Sequence, residues 1–433
     1  MSEKNILGYK NIVGLISVFI VFLPPTFISG PLLPDLLISI SALGCLYLFS
    51  LGLFSNFWNN LYFKSLIIFW IYIVLVSIFS QYGTLTLKPS LTFIRFVLFS
   101  FFIIYLFKND KKILFKFNII LIIALIILNI DGFYQFFFKE NLIGYKLIRP
   151  DRLSSFFGDE LILGSYLSKI MPILFFFLYE HLEFNKIKYL NILLIISSLL
   201  LIFLTGERAA FIMTVLFLII TLPFIFNFKY IFLIFLISIS LITFFLKSND
   251  IIYDRYYEQM KIHLIKKIDN HTIYLPEHVG LFDSAFYIFK NNVYFGTGVK
   301  TFREECKKNQ SKFKNLILSK NSQGARLPIK FCETHPHNYY LQFLAELGIF
   351  GFSFLFIFFM YCIFIYIYYF YKVIVKQNKI INFNQYIISL NGIIVALWPL
   401  TTNGNFFNNW LSGLFFLQVS LLIYNHEKLL KQN

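Results

Sequence analysis

Runs of roughly 18 or more mostly apolar residues recur along almost the whole chain, each closed off by a short polar stretch. A run of that length forms a helix able to cross a bilayer. The pattern predicts an all-α polytopic membrane protein with about twelve spans of roughly twenty residues each. They fall near Asn11–Ser29, Leu32–Phe54, Lys64–Ser80, Ser90–Phe107, Ile113–Phe138 and Leu161–Tyr179. The others fall near Tyr189–Leu204, Ala209–Phe226, Tyr230–Leu246, Tyr339–Tyr368, Gln385–Leu400 and Phe406–Tyr424. The first run lacks an A-x-A cleavage site and a second follows at once, so it is expected to be a retained span rather than a signal peptide. The organisation expected is a bundle of about nine helices over residues 1–246, a long polar loop subdomain over 247–338, and about three helices over 339–433.

Composition agrees with this pattern. The 433 residues are 58% hydrophobic and 21% aromatic, with only 14% charged. A soluble domain is nearer a quarter charged. The lysines then orient the chain, because short cytoplasmic loops carry an excess of positive charge. Lys4 and Lys10 precede the first span, and alternate loops hold Lys64, then Lys108, Lys111 and Lys112, then Lys186 and Lys188, then Lys229. Lys372, Lys376 and Lys379 follow, and the tail carries Lys428 and Lys431. Both termini are therefore expected in the cytoplasm, which places 139–160, the turn "TGER" at 205–208 and the 247–338 loop on the opposite, periplasmic side. That loop is itself basic, either as a solvated surface or as an attractor of lipid phosphates and acidic glycans. Of the four cysteines, Cys306 and Cys332 share the loop, where an oxidising compartment would allow a disulfide.

Three arginines lie inside or at the rim of spans, where a charge needs a partner or a cavity. Arg95 could snorkel to the surface. Arg152, in "RPDRLSSFFGDELILGSYL", could pair with Asp151 or Asp159, and Arg208, in "TGER", could be an interfacial anchor. The alternative for these last two is a phosphate site, since the guanidinium fork grips phosphate oxygens in pairs. On the same face stands "THPHNYYLQFLAELGIFG", residues 334–351. Asn338 is a good N-cap for a helix starting at Tyr339. His337 just before it lies at a helix end that attracts anions and suits a proton acceptor. Gly348 and Gly351, three apart, would open one helix face to close packing by another helix. Glu346 must find a partner or a wet site. His335, His337 and Glu333 could in principle meet a metal, but no further constellation supports that, and no P-loop is present. No nucleic-acid partner is expected.

These residues resemble the O-antigen ligase and polymerase group of bacterial envelope glycosyltransferases. The ligase signature is His-Asn, nine residues, Gly, two residues, then Gly, Thr or Tyr. Here it reads His337-Asn338, "YYLQFLAEL", Gly348, "IF", Gly351. The resemblance extends to the arginines Arg152 and Arg208 and to "HVGLFDSAFYIFKNNVYFGTGVKTF" before the motif. It implies a GT-C-like fold in the inner membrane and an inverting transfer of a glycan from undecaprenyl diphosphate to a sugar of the lipid A core at the periplasmic face. His337 would deprotonate the acceptor hydroxyl, and Arg152 and Arg208 would hold the diphosphate. Asn338, Glu346, Gly348, Gly351 and His335 would support them, with neither metal, nucleotide nor other cofactor. A polymerase extending lipid-linked repeats is the nearest alternative, and a glycan flippase is a more distant one.

Overall fold

The computed structural model describes residues 3–53, 57, 59–181, 185–225, 227, 236, 239–240, 242–261, 276–310, 312, 331–377, 380 and 383–431. Sixteen α-helices carry the described part of the chain, and among the described residues the only β-pairing is two isolated bridges. In chain order they are α1 Glu3–Val21, α2 Leu23–Thr26, α3 Leu32–Ser50, α4 Leu61–Ile78, α5 Thr84–Thr92 and α6 Ile94–Asn109. Next come α7 Lys111–Phe138, α8 Leu163–Glu180, α9 Asn185–Leu204, α10 Arg208–Ile225 and α11 Asp250–Tyr253. The rest are α12 Pro276–Asn291, α13 Phe302–Lys308, α14 Tyr339–Tyr369, α15 Phe383–Ala396 and α16 Asn409–Leu430.

Among the described residues, seven stretches are long and apolar enough to cross a membrane: α3, α4, α5 with α6, α7, α9, α10 and α14 with its extension to Val375. Three further expected spans correspond to α1, α8 and α16, and a fourth to α15, which is short. The span expected at Tyr230–Leu246 lies mostly outside the described residues. The expected fourth span begins inside α5, which carries Pro89, and continues through Phe93, whose backbone stays helical, into α6, so the two form one stretch. One continuous core of buried side chains runs from Ile16 in α1 to Leu429 in α16, filled mostly by leucine, phenylalanine and isoleucine. The three helices after the loop therefore pack into the same core as those before it: α16 lies against α6 and α15, and α15 against α8 and α10.

The two ends of the bundle differ. At one end Lys111 and Lys428 both reach Glu180, Lys108 pairs with Glu427, and Asn60 donates to Glu427. At the other end of α7, Asp131 accepts from Leu142 N and pairs with the Ser155 hydroxyl, and Gln135 accepts from Ser154 N and Ser155 N. Lys111 and Gln135 are about 36 Å apart along the helix axis. The loop that carries Arg149 and Arg152 is thus fixed at the end far from the lysine cluster.

Arg95 does not simply reach for water. Its guanidinium sits 2.7 Å from Asp35 and over the Phe96 ring, and Asn409 donates to the same carboxylate at 3.2 Å. This pair ties α3, α6 and α16 together near the non-lysine end.

Candidate active site

The helix carrying the histidine motif starts as the sequence predicts. Asn338 has extended backbone angles and its side-chain Oδ1 accepts from Tyr340 N and Leu341 N at 3.0 and 3.1 Å. The same side chain donates to Pro399 O at 2.8 Å, so it fastens both the start of α14 and the 399–405 loop. Asn403 N donates to His337 O at 2.8 Å, and Gln342 donates to Asn405 and accepts from Phe406 N. Here the His337 backbone sits at φ 56°, a left-handed conformation uncommon outside glycine. Such strain persists only where the surroundings hold it, as the caps on either side do here. The His337 Nε2 lies 3.1 Å from a Glu333 carboxylate oxygen.

The motif glycines act differently from the expectation. Gly348 does not receive another helix. It breaks α14 at φ 66°, ψ −166°, and a Cβ there would lie 2.3 Å from Tyr294 O. Opposite it, Gly296 has φ 69°, and a Cβ would lie 2.3 Å from the Glu346 carbonyl carbon. Two glycines facing each other let two backbones touch: Thr297 N donates to Ala345 O, Gly298 N to Glu346 O and Ile349 N to Val293 O. Gly351 faces its own helix, where the Leu347 side chain crowds it. Glu346 is fully buried and finds two partners, Gln342 Nε2 at 3.0 Å and Phe302 N at 3.3 Å. The 295–302 stretch is therefore a turn docked on α14, and Cys306, bonded to Cys332 with Cα atoms 5.6 Å apart, closes the chain between α13 and the motif.

At the end far from the lysine cluster, an open cleft of about 1660 Å³ is lined by Arg152, Arg208 and His337 together. Sequence placed them on one face only. Arg149, Arg255, His278, His335, Glu160, Glu207 and the 402–404 loop complete the lining. Arg152 does not pair with Asp151 or Asp159. Its Nη2 donates to Leu161 O at 2.9 Å and lies 3.9 Å from Glu207. Asp151 is taken instead by Arg149 at 3.0 Å and Arg255 at 3.4 Å. Burial raises the Asp151 carboxyl, but the Arg149 and Arg255 guanidiniums together outweigh it and hold the group below its usual range.

Arg255, Arg149, Glu207 and His278 went unnoticed as site residues in the sequence. Arg255 is buried, donates through Nε to Gly206 O and through Nη1 to Gln259, and so supports the turn that carries Arg208. Burial, then the neighbouring Arg208 and Arg152, lower its guanidinium to about 10. Glu207 accepts from Gly164 N, Ser165 N and the Ser165 hydroxyl, capping α8, while burial pushes its carboxyl up. The one available signal was the residue before Arg208, a carboxylate in a tight turn beside a span. His278 opens α12, and its ring lies 5.4 Å from that of His337. The His335 ring is closer, at 4.1 Å, and its Nδ1 meets the Thr334 hydroxyl at 2.7 Å. Burial, then His337, lower His335 to about 4, so it stays neutral near pH 7. Among the described residues no group of three or more His, Cys, Asp or Glu is placed to hold a metal ion.

Such a cleft offers several cationic forks, a histidine with a carboxylate behind it, and a helix N-terminus. It can bind a polyanion and move a proton beside it. No curated protein matches the chain. Residues 192–357, a span that holds Arg208, Arg255 and the His337 motif, match the family model described as O-antigen ligase, which supports membership of the O-antigen ligase and polymerase family of membrane glycosyltransferases.

Proposed function

We propose that the protein is an O-antigen ligase-like glycosyltransferase that moves a glycan from a membrane-embedded undecaprenyl diphosphate donor to a sugar hydroxyl of the lipid A core. The observation that carries this reading is the meeting of Arg152, Arg208 and His337 in one open cleft at the end of the bundle away from the lysines. By the lysine distribution that end is periplasmic, in the inner membrane, with both termini in the cytoplasm.

In this reading His337 accepts the proton of the acceptor hydroxyl as its oxygen attacks the anomeric carbon. The bond from that carbon to the diphosphate oxygen breaks, with inversion. Arg152 and Arg208 neutralise the charge that develops on the leaving diphosphate, in a cleft where the donors are already in place. Diphosphate leaves as a stable anion, so neither a general acid nor a nucleotide is required. Glu333 hydrogen-bonds one imidazole nitrogen, which holds the ring and stabilises the imidazolium that forms, leaving the other nitrogen to take the proton. Asn338 fixes the ring's position through the cap and the 399–405 loop.

The test uses purified protein in nanodiscs with undecaprenyl-diphosphate-linked glycan, with and without lipid A core. Core-dependent transfer, lost by about 100- to 10,000-fold in His337→Ala, is the expected result. Chain growth on the donor alone makes the protein a polymerase. An active His337→Ala variant removes the base assignment.

A further inference from the structure

The helix behind His337 is much longer than a bilayer requires. From Tyr339 to Val375 it runs 37 residues, about 55 Å, against a hydrocarbon core of about 30 Å. Two girdles of exposed aromatic side chains mark where the bilayer fits. At the lysine end, Tyr368 and Tyr371 are exposed, with Lys372 over the Tyr368 ring and Lys376 over the Tyr371 ring. At the other level Phe350 is 53% exposed and meets Tyr294 and Phe295, which are 66% and 58% exposed. Phe350 and Tyr371 are separated by about 31 Å of helix, the thickness of the hydrocarbon core.

Tyr294 and Phe295 belong to the turn of the long loop, not to a span. A turn at the headgroup–acyl boundary keeps water within reach of its backbone, and only groups facing the acyl chains need a protein partner. Here Val293 O accepts from Ile349 N, and the adjoining Gly296, Thr297 and Gly298 donate to Asn292, Ala345 and Glu346 carbonyls, which fasten the turn to protein. The end of α4 lies at the same level, where Ser80 donates to Thr297 O and the neighbouring Phe79 is 85% exposed. On α12, Lys290 lies over the ring of exposed Phe286. Aromatic rings edged by lysine are the composition of a membrane interface.

We propose that the Val293–Phe295 turn is a membrane anchor: its aromatic side chains insert at the headgroup–acyl boundary of the leaflet on the cleft side. The docking of this turn on the Gly348 break makes the bilayer surface the reference height for α14. The N-cap Asn338 then stands about 18 Å further along the axis, so the histidine cleft is held in the headgroup and water layer above the acyl chains.

The experiment places a nitroxide at residue 295, and separately at 294, through Phe295→Cys and Tyr294→Cys in the full chain. Each protein is reconstituted in phosphatidylethanolamine–phosphatidylglycerol vesicles. The parent chain, whose Cys45 and Cys362 are buried, supplies the background, and a label at Glu304 on α13 supplies the water reference. The anchor gives an oxygen-to-nickel-chelate collision ratio several-fold above the Glu304 reference at both positions. A ratio equal to the reference at either position overturns the proposal. Transfer activity plays no part in the readout, so the outcome stands apart from the catalytic reading.

Discussion

Replacing Gly348 by alanine isolates what holds the loop to the histidine helix. The residue sits at φ 66°, ψ −166°, a region essentially restricted to glycine, which alone costs about 1–3 kcal/mol for another residue. The added Cβ would also lie 2.3 Å from Tyr294 O and 2.6 Å from Phe295 N. Those are backbone atoms and cannot swing aside, so the turn must back away. Three backbone hydrogen bonds join the turn to α14, each contributing about 0.5–1.5 kcal/mol. The combined loss is about 3–7 kcal/mol if the turn detaches. Gly351→Ala meets only the Leu347 side chain on its own helix, without a positive φ, so it should cost less.

The assay is the thermal midpoint in detergent together with transfer in nanodiscs. Gly348→Ala should lower both strongly, and Gly296→Ala should do so to a similar extent, because its Cβ strikes Glu346 and Leu347 backbone from the other side. The double variant should add little to either single one, since the same interface is lost once. A Gly348→Ala protein with unchanged midpoint and transfer, or two single effects that simply add, would refute the reasoning.

Three other outcomes follow from the site. Arg208→Lys should reduce transfer by about 10- to 100-fold, because an ammonium keeps the charge but not the paired geometry; unchanged transfer with intact donor binding would make Arg208 a structural anchor. Glu333→Gln should lower kcat by roughly tenfold or more with the donor KM unchanged, and Glu333→Asp should recover part of it; equal loss in both variants would point to a folding role instead. His335 titrates at about 4 in the folded chain against an ordinary 6.5. As pH falls the unfolded chain therefore protonates first, so this contribution is intact above pH 6.5 and lost between 6.5 and 4, by up to about 3 kcal/mol. The thermal midpoint should drop across that window, and His335→Gln should flatten the drop.

The all-helical membrane architecture was legible because apolar length is a local property, and so was the cap at Asn338, which reaches only to Tyr340 N and Leu341 N. The docking of Gly296 on Gly348 was not. The two lie some fifty residues apart, and the spacing of Gly348 and Gly351 suggested a helix partner where the structure supplies a loop. Arg152 was legible as a charge needing a partner but not as a partner of Glu207, which is reached across the α9–α10 turn. Arg255 sits in a polar loop rich in cations, where nothing in its neighbours sets it apart until Gly206 and Asp151 are seen against it.

The electrostatics of the cleft explain why a diphosphate suits it better than a neutral ligand. Four arginines line or enter it, and the carboxylates near them are Asp151, Glu160 and Glu207. Asp151 is already shared by Arg149 and Arg255, and Glu207 spends most of its oxygens capping α8. Arg255 is depressed first by burial and then by Arg208 and Arg152, so the guanidiniums repel one another in a partly desolvated place. A neutral sugar would leave that repulsion intact. A diphosphate would relieve it, add the attraction of the α14 N-terminus, and lie beside His337, the proton acceptor proposed above, which has the Glu333 carboxylate behind it.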